Sequence, residues 1–292
     1  MIEDCAMALD GGPLTVSETH DFGERRFGVF NGLGLWTLYK KEVMRFMKVA
    51  SQTVFAPIIT TMLYLTVFLV AFGADRSVTM EGRLIEFAAF LPPGLIMMSV
   101  LSNAFQNASS SLVIGKVQGS LVDILMPPLS PLELTIAFTA GAATRGLIVG
   151  VITAVTIAIF MAATDGPFAI TNLAAVLFFS TAASVMLGAI GVIAGMWADK
   201  FDQLSLITNF VITPLTFLSG TFYSVRREGL PEWVADMSAF NPLFYLIDGF
   251  RYGFIGAADS PIVFGAFLSL GLSAAAFFIT YLLFKRGYKL KA

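Results

Sequence analysis

Apolar stretches long enough to cross a lipid bilayer recur along this chain, and that recurrence limits its fold more than any other feature. A hydrocarbon core of about 30 Å needs about 20 helical residues at 1.5 Å each. Six stretches have that length, near residues 52–73, 90–112, 132–161, 171–196, 204–222 and 262–284. The third is longer than the core requires and must tilt or extend beyond it. Composition agrees: 57% of the residues are hydrophobic and 13% charged, with a mean hydropathy of +0.80. An average soluble domain carries roughly 25% charged residues. A soluble fold has no interior able to hide so much apolar surface, so lipid is the solvent for most of it. The expected class is all-α, a polytopic membrane protein with six transmembrane helices, rather than a soluble domain on one anchor.

The rest of the chain divides around those spans into a tail, residues 1–33, and one transmembrane domain, residues 34–292. The tail mixes acids such as Glu3, Asp4 and Asp10 with Gly and Pro and lacks the apolar core of a signal peptide. It reads as a disordered cytoplasmic segment, with a partner-binding arm as the alternative. A single cysteine, Cys5, excludes an internal disulfide framework, and a single histidine, His20, excludes a multi-histidine metal site. No metal site is expected.

Lys and Arg set the orientation. With the N-terminus in the cytoplasm, twelve fall on cytoplasmic segments and five on external ones: Arg76, Arg83, Arg226, Arg227 and Arg251. Arg145 lies within a span. Both termini are therefore expected in the cytoplasm, as an even number of spans requires. Before the first span, residues 34–50 read as an amphipathic helix. Leu35, Trp36, Tyr39, Val43, Phe46, Met47 and Ala50 lie at helical spacing, with Lys41, Arg45 and Lys48 on the other side. Such a helix lies in the headgroup plane with its cations toward anionic lipid; an ordinary extension of the first span is the alternative. Residues 226–256 are too apolar for a plain loop, yet Pro231 and Pro242 break them. Two short helices dipping part-way into the membrane fit better than a seventh span.

Three features bear on function. In the second span Ser99, Asn103, Gln106, Asn107 and Ser110 recur at steps of three or four, which places them along one helical face. The fifth span carries Ser205, Asn209, Thr213 and Thr216 in the same way. Such stripes line a substrate pathway or bond helices together. Arg145, well inside the third span, needs a partner or a water-filled cavity, because a central arginine costs at least about 2.5–3.5 kcal/mol. Gly141, Gly146 and Gly150 beside it allow close helix approach, as do Gly188, Gly191 and Gly195 in the fourth span. A structural arginine and a transport residue are equally compatible with its position. The loop of residues 113–130, including Lys116, Gln118, Gly119 and Asp123, ends at Pro127 and Pro128, which cannot continue a helix. It suits a short rigid helix that receives force from a motor protein; a plain connector would look similar.

The stretch from Thr213 to Gly256 closely resembles the C-terminal signature of bacterial ABC type-2 transporter permeases. Its pattern runs through Phe-Leu-Ser-Gly, Leu-Pro-x-Trp, Asn-Pro-Leu-x-Tyr and Phe-Arg-Tyr-Gly. The Lys-Lys-Glu helix and the Gln-Gly-Ser…Asp-Ile-Leu…Pro-Pro loop match as well, so the resemblance covers roughly residues 34–290. It implies a permease in the bacterial inner membrane, dimeric with itself and paired with two copies of a separate ATP-binding cassette subunit. The chain itself would bind no cofactor; ATP and Mg would act through the partner. The loop at 116–128 would be the coupling helix, and 34–50 the interfacial helix. The second and fifth spans would line the route through Ser99, Asn103, Gln106, Asn107, Asn209, Thr213 and Thr216. The re-entrant helices of 226–256 would form an outer gate with Trp233, Asn241, Pro242, Tyr245, Asp248 and Arg251. The branch most similar is that of small drug, lipid or lipo-oligosaccharide exporters.

Other classes fit less well. No Gly-x-x-x-x-Gly-Lys-Ser/Thr loop occurs, so the chain has no ATPase motif of its own. An ion-coupled secondary transporter, the main alternative, would place a carboxylate near the midplane, whereas the acids here concentrate at span ends and loops. A membrane enzyme would need an acid–histidine or serine–histidine pair that the spans lack. Nothing in the pattern points to nucleic acid, and lipid is the other expected partner.

Overall fold

The computed structural model describes residues 30–73, 76–80, 82–225 and 231–289. Nearly all of the predicted tail, with Cys5 and His20, lies outside these residues, as do the first five residues of the predicted external helices.

Five helices are long and apolar enough to cross a membrane: α2 (Ala50–Phe72), α3 (Phe87–Val117), α5 (Pro131–Ala163), α6 (Leu173–Trp197) and α11 (Ile262–Arg286). They lie within a few residues of five of the predicted spans. Between them sit α1 (Gly32–Met47) and the short α4 (Leu121–Leu125). The remaining predicted span, the fifth, is a broken run: α7 (Phe201–Ile207), a π-helical turn (Thr208–Ile212) and α8 (Thr213–Phe217). At 1.5 Å per residue this run is about 25 Å long, short of a hydrocarbon core of about 30 Å. Pro214 gives the cause of the wide turn, because it has no N–H to return to the preceding turn. The Thr208 carbonyl accepts both the N–H of Thr213, the bond that defines the wide turn, and its hydroxyl at 2.9 Å. After α8 come α9 (Glu232–Phe240) and α10 (Pro242–Ile255), neither long enough to span.

The starts of these helices follow local chemistry. Ser130 and Glu133 form a capping box at the start of α5, with Pro131 in the first turn. Asn31, Asn172 and Asn241 cap α1, α6 and α10 with their side-chain oxygens. One element was not anticipated from sequence, a small antiparallel hairpin of β1 (Ser77–Met80) and β2 (Arg83–Glu86) ahead of α3.

Helix α3 is the centre of the bundle and is buried along most of its length, packed against α5, α6, α10 and α2. Glycines let the backbones close. A Cβ on Gly191 of α6 would lie 2.5 Å from the Phe105 carbonyl of α3, and one on Gly195 would lie 2.9 Å from the Ser109 carbonyl. A Cβ on Gly146 of α5 would lie 3.0 Å from both the Ala104 Cβ and the Val100 carbonyl. The small-residue faces read from sequence are therefore helix contacts. Gly191→Val should force α6 off α3 and cost about 1–3 kcal/mol, read as a lower thermal midpoint in detergent. An unchanged midpoint would show that the two helices do not approach this closely.

The core has two parts. The larger runs along α3, α6 and α10. The smaller gathers Leu38 of α1, Leu121 and Ile124 of α4, Phe138 of α5 and Phe284 of α11. Thus α1 and α4 share one end of the bundle, while α10 packs with Phe90, Gly94 and Phe179 at the other.

Candidate functional site

A cleft of about 750 Å³ opens between α2, α3, α5 and α7. Along α3 its wall is Leu95, Ser99, Asn103, Gln106, Ser110 and Ile114, one residue per turn, so the polar stripe faces a cavity. Opposite, α2 presents Gln52, Thr53, Thr60, Thr61 and Tyr64. The Thr61 and Ser99 hydroxyls meet at 3.1 Å across the helix pair. Arg145 reaches in from α5 and donates to the Asn103 side-chain oxygen at 3.2 Å. Asn103 spends its own N–H on the Ser99 carbonyl at 3.0 Å, which leaves that oxygen for the guanidinium. Leu95, Met98, Phe201 and Leu204 supply apolar wall.

The fifth-span stripe does not join this lining. Asn209 is exposed, Thr213 half-buried and Thr216 buried, and the Thr216 hydroxyl is used on the Ile212 carbonyl at 2.7 Å. Asn107 is also absent from the cavity wall. It is fully buried and receives a guanidinium N–H of Arg45 on both its backbone and side-chain oxygens, at 2.7 and 2.9 Å.

That contact corrects the reading of α1. Arg45 does not face outward with Lys41 and Lys48; it turns inward and lines the cavity. The protein-facing stripe of α1 is Leu38, Glu42 and Phe46, with Trp36, Met44 and Met47 left exposed. The sequence shows one apolar face, and the structure divides the apolar residues between two. Glu42 is the residue that sequence reasoning missed. Its carboxylate is buried, pairs with Arg45 at 3.2 Å and accepts the Ser111 hydroxyl at 2.8 Å. The signal was an acid three residues before an arginine on a helix bound for the core.

At the α1 end the loop after α3 forms an exposed knuckle. Gln118, Gly119, Val122, Asp123, Met126 and Pro127 stand out from the surface, while Leu121 and Ile124 are anchored in the smaller core. Gly119 has φ +70°, a backbone that turns the chain after α3 and suits glycine. Lys116 does not project with them. Its ammonium donates to the Ala198 carbonyl at 3.0 Å and lies 3.5 Å from Asp199, tying α3 to the end of α6. The Lys289 ammonium, 3.1 Å from the same carboxylate, holds Asp199 below the usual carboxylate range. A second buried carboxylate fixes the knuckle to α1: Glu133 accepts the backbone N–H of Asn31 and, at 2.6 Å, that of Ser130. The Asn31 side chain also donates to the Pro128 carbonyl at 3.3 Å.

At the opposite end, three buried charges hold the loops around α10. Asp248 accepts from the Asp259 N–H at 2.9 Å, and from the Ser260 N–H and hydroxyl at 2.8 and 2.6 Å. Asp259, not singled out from sequence, accepts the Ser224 hydroxyl at 2.8 Å and the Val225 N–H at 3.1 Å. Arg251 is fully buried, donates to the Gly220 carbonyl at 2.7 Å and stacks 3.8 Å from the Phe90 ring centroid. Asp248 and Arg251 thus brace the loops separately rather than as an ion pair. Asn241 donates to the Leu215 carbonyl at 2.6 Å, Pro242 opens α10, and the Tyr245 hydroxyl donates to the Ala239 carbonyl at 3.0 Å. Trp233 is exposed.

Known proteins are similar to this chain in sequence. The family described as ABC-2 type transporter matches residues 34–255. The inner membrane transport permease YadH of Escherichia coli strain K12 is 34% identical over 260 residues, covering 89% of this chain and 98% of that protein. The Shigella flexneri protein of the same name matches equally. Nodulation protein J of Rhizobium leguminosarum bv. viciae is 26% identical over 234 residues, 78% of this chain and 84% of that protein. With the spans, the polar cleft and a family match over most of its length, the chain belongs to the ABC-2 type transporter family and is a membrane permease subunit of such a transporter.

Proposed function

We propose that this permease exports an amphipathic, lipid-like or drug-like molecule from the cytoplasm or inner leaflet by alternating access, driven by ATP on a separate cassette subunit. The observation that carries this reading is the anchored knuckle. Val122, Asp123 and Met126 are exposed, yet α4 is rooted in the same small core as α1 and the ends of α5 and α11. A push on the knuckle moves these helices together, as a force-receiving element must. The cavity then lies between α2 and α3 with much of α2 exposed. Phe55, Ile59, Leu63 and Val67 form an outward stripe at i, i+4 spacing that a second copy of the chain would cover in a homodimer.

In this reading two cassettes bind ATP and Mg, and the permease binds no cofactor. The inner membrane location follows the name of the Escherichia coli relative, and the cation count of the sequence supports both termini in the cytoplasm. Trp36, Met44 and Met47 would face lipid at the headgroup level. The helices α9 and α10 would form an external gate. Only a difference in affinity between the two states can drive the cycle, so the cassettes must hold ATP most tightly in one of them. The ion-coupled alternative has no carboxylate in the cavity wall, among the described residues, to carry a coupling ion.

The test is purification of the tagged chain from native membranes in mild detergent. A cassette protein should co-purify in stoichiometric amount with wild type and be lost with Val122→Asp/Met126→Asp, while both chains elute as one monodisperse peak. Recovery of no cassette with wild type under several detergents would overturn the proposal.

A further inference from the structure

Two guanidinium groups reach the cavity, and their charges are not balanced. Arg45 has Glu42 as its counter-ion, but Glu42 is buried behind it and is fully used by Arg45 and Ser111. Arg145 has no carboxylate within ion-pair distance among the described residues. Its one hydrogen-bond partner is the neutral Asn103 oxygen, and its Nε has none. The cavity wall itself contains no acid among the described residues.

The two arginines are also brought to neighbouring positions. Arg145 binds Asn103 and Arg45 binds Asn107, residues one helical turn apart on α3. Ser99, Ser110 and Gln106 extend the polar wall on either side of them. A guanidinium without a counter-ion inside a span is costly, and it presents a planar fork suited to a phosphate or carboxylate. The apolar wall of Leu95, Met98, Phe201 and Leu204 lies in the same cleft. Its volume, about 750 Å³, falls within the usual range for small-molecule sites.

We propose that this cavity is a binding site for the anionic group, phosphate or carboxylate, of an amphipathic substrate, with Arg145 as its primary ligand and Arg45 and Asn103 beside it. This rests on the transport reading above and adds the sign of the charge. Cationic amphiphiles are excluded by the same field that attracts anionic ones.

The chain is reconstituted into nanodiscs of phosphatidylcholine, and binding is measured by calorimetry against empty discs. The probes share one tail: dodecyl phosphate, dodecylphosphocholine and dodecyltrimethylammonium. Dodecyl phosphate should bind saturably and at least about tenfold more tightly than the cation, and Arg145→Gln should remove about tenfold of that preference while Arg145→Lys keeps part of it. Inorganic phosphate is then added as competitor. If it displaces dodecyl phosphate, a free anion satisfies the site; if it does not, the tail is needed and a lipid-type substrate is indicated. Both results support the anion site. Equal binding of all three amphiphiles to wild type overturns it, as does a preference that Arg145→Gln leaves intact. Should Arg145→Gln fail to fold, the wild-type series decides the charge question and Asn103→Ala tests the geometry. Absence of any charge preference in wild type, with cassette co-purification retained, sinks this proposal alone; loss of the cassette from wild type sinks the transport reading.

Discussion

Asp248→Ala will destabilise the α10 end of the molecule by about 3–5 kcal/mol, the scale of three hydrogen-bond donors losing one shared acceptor at about 1–3 kcal/mol each. The reason is the number of donors that depend on one carboxylate. Two backbone N–H groups and a hydroxyl, from Asp259 and Ser260, point at Asp248 and are buried or nearly so. Alanine strands the buried Asp259 N–H and leaves the half-buried Ser260 groups without their acceptor, and a stranded donor costs about 1–3 kcal/mol. The loop of 256–261 then loses its side-chain tie to α10, which weakens the hold of Asp259 on Ser224 and Val225. The thermal midpoint in detergent should fall by roughly 10 °C, with Asp248→Asn losing less because it keeps one acceptor. A midpoint for the alanine variant indistinguishable from wild type would mean that the loop is held by other contacts.

Glu42→Ala should have an effect of similar size at the other end. It leaves Arg45 without its counter-ion and Ser111 without its acceptor, again costing about 3–5 kcal/mol. The loss should appear first in α1, as faster hydrogen exchange across residues 32–47 with the larger core still protected. A second substitution separates charge from packing. In Glu42→Ala/Arg45→Met no unpaired charge remains, so the double variant should be more stable than Glu42→Ala alone. If the two losses simply add, Glu42 and Arg45 do not act as a pair.

These two carboxylates also mark where sequence reading stopped. The spans were legible because lipid imposes a length and a hydropathy that local sequence must meet on its own. Asp248 was singled out from sequence as an outer-gate residue, and its hold on the following loop was not legible because the partners include backbone N–H groups. Glu42 was not singled out, since on a helix with Lys40, Lys41, Arg45 and Lys48 an acid looks like part of a solvated face. Its burial depends on Gly141 of α5, where a Cβ would lie 2.8 Å from the Glu42 side chain, a contact between residues far apart in the chain. The fifth-span stripe failed for a different reason. Asn209 and Thr216 are seven residues apart and share a face in a regular α-helix. The π turn at Thr208–Ile212 widens the helix between them, so one is exposed and the other buried. Spacing rules assume a constant turn, and Pro214 removes it here.

Arg45 stands in two places at once. It is part of the cavity wall, and through Glu42 and Leu38's helix it belongs to the unit that Asn31, Glu133 and Pro128 fasten to the knuckle. A cavity occupant that shifts this side chain would also act on the unit held to the knuckle. By linkage the factor is the same in both directions: a ligand in the cavity alters affinity at the knuckle as much as a bound partner alters affinity in the cavity. In the proposed transport cycle, cargo and motor would be two readers of one side chain, and titrating either one against the other would measure a single number.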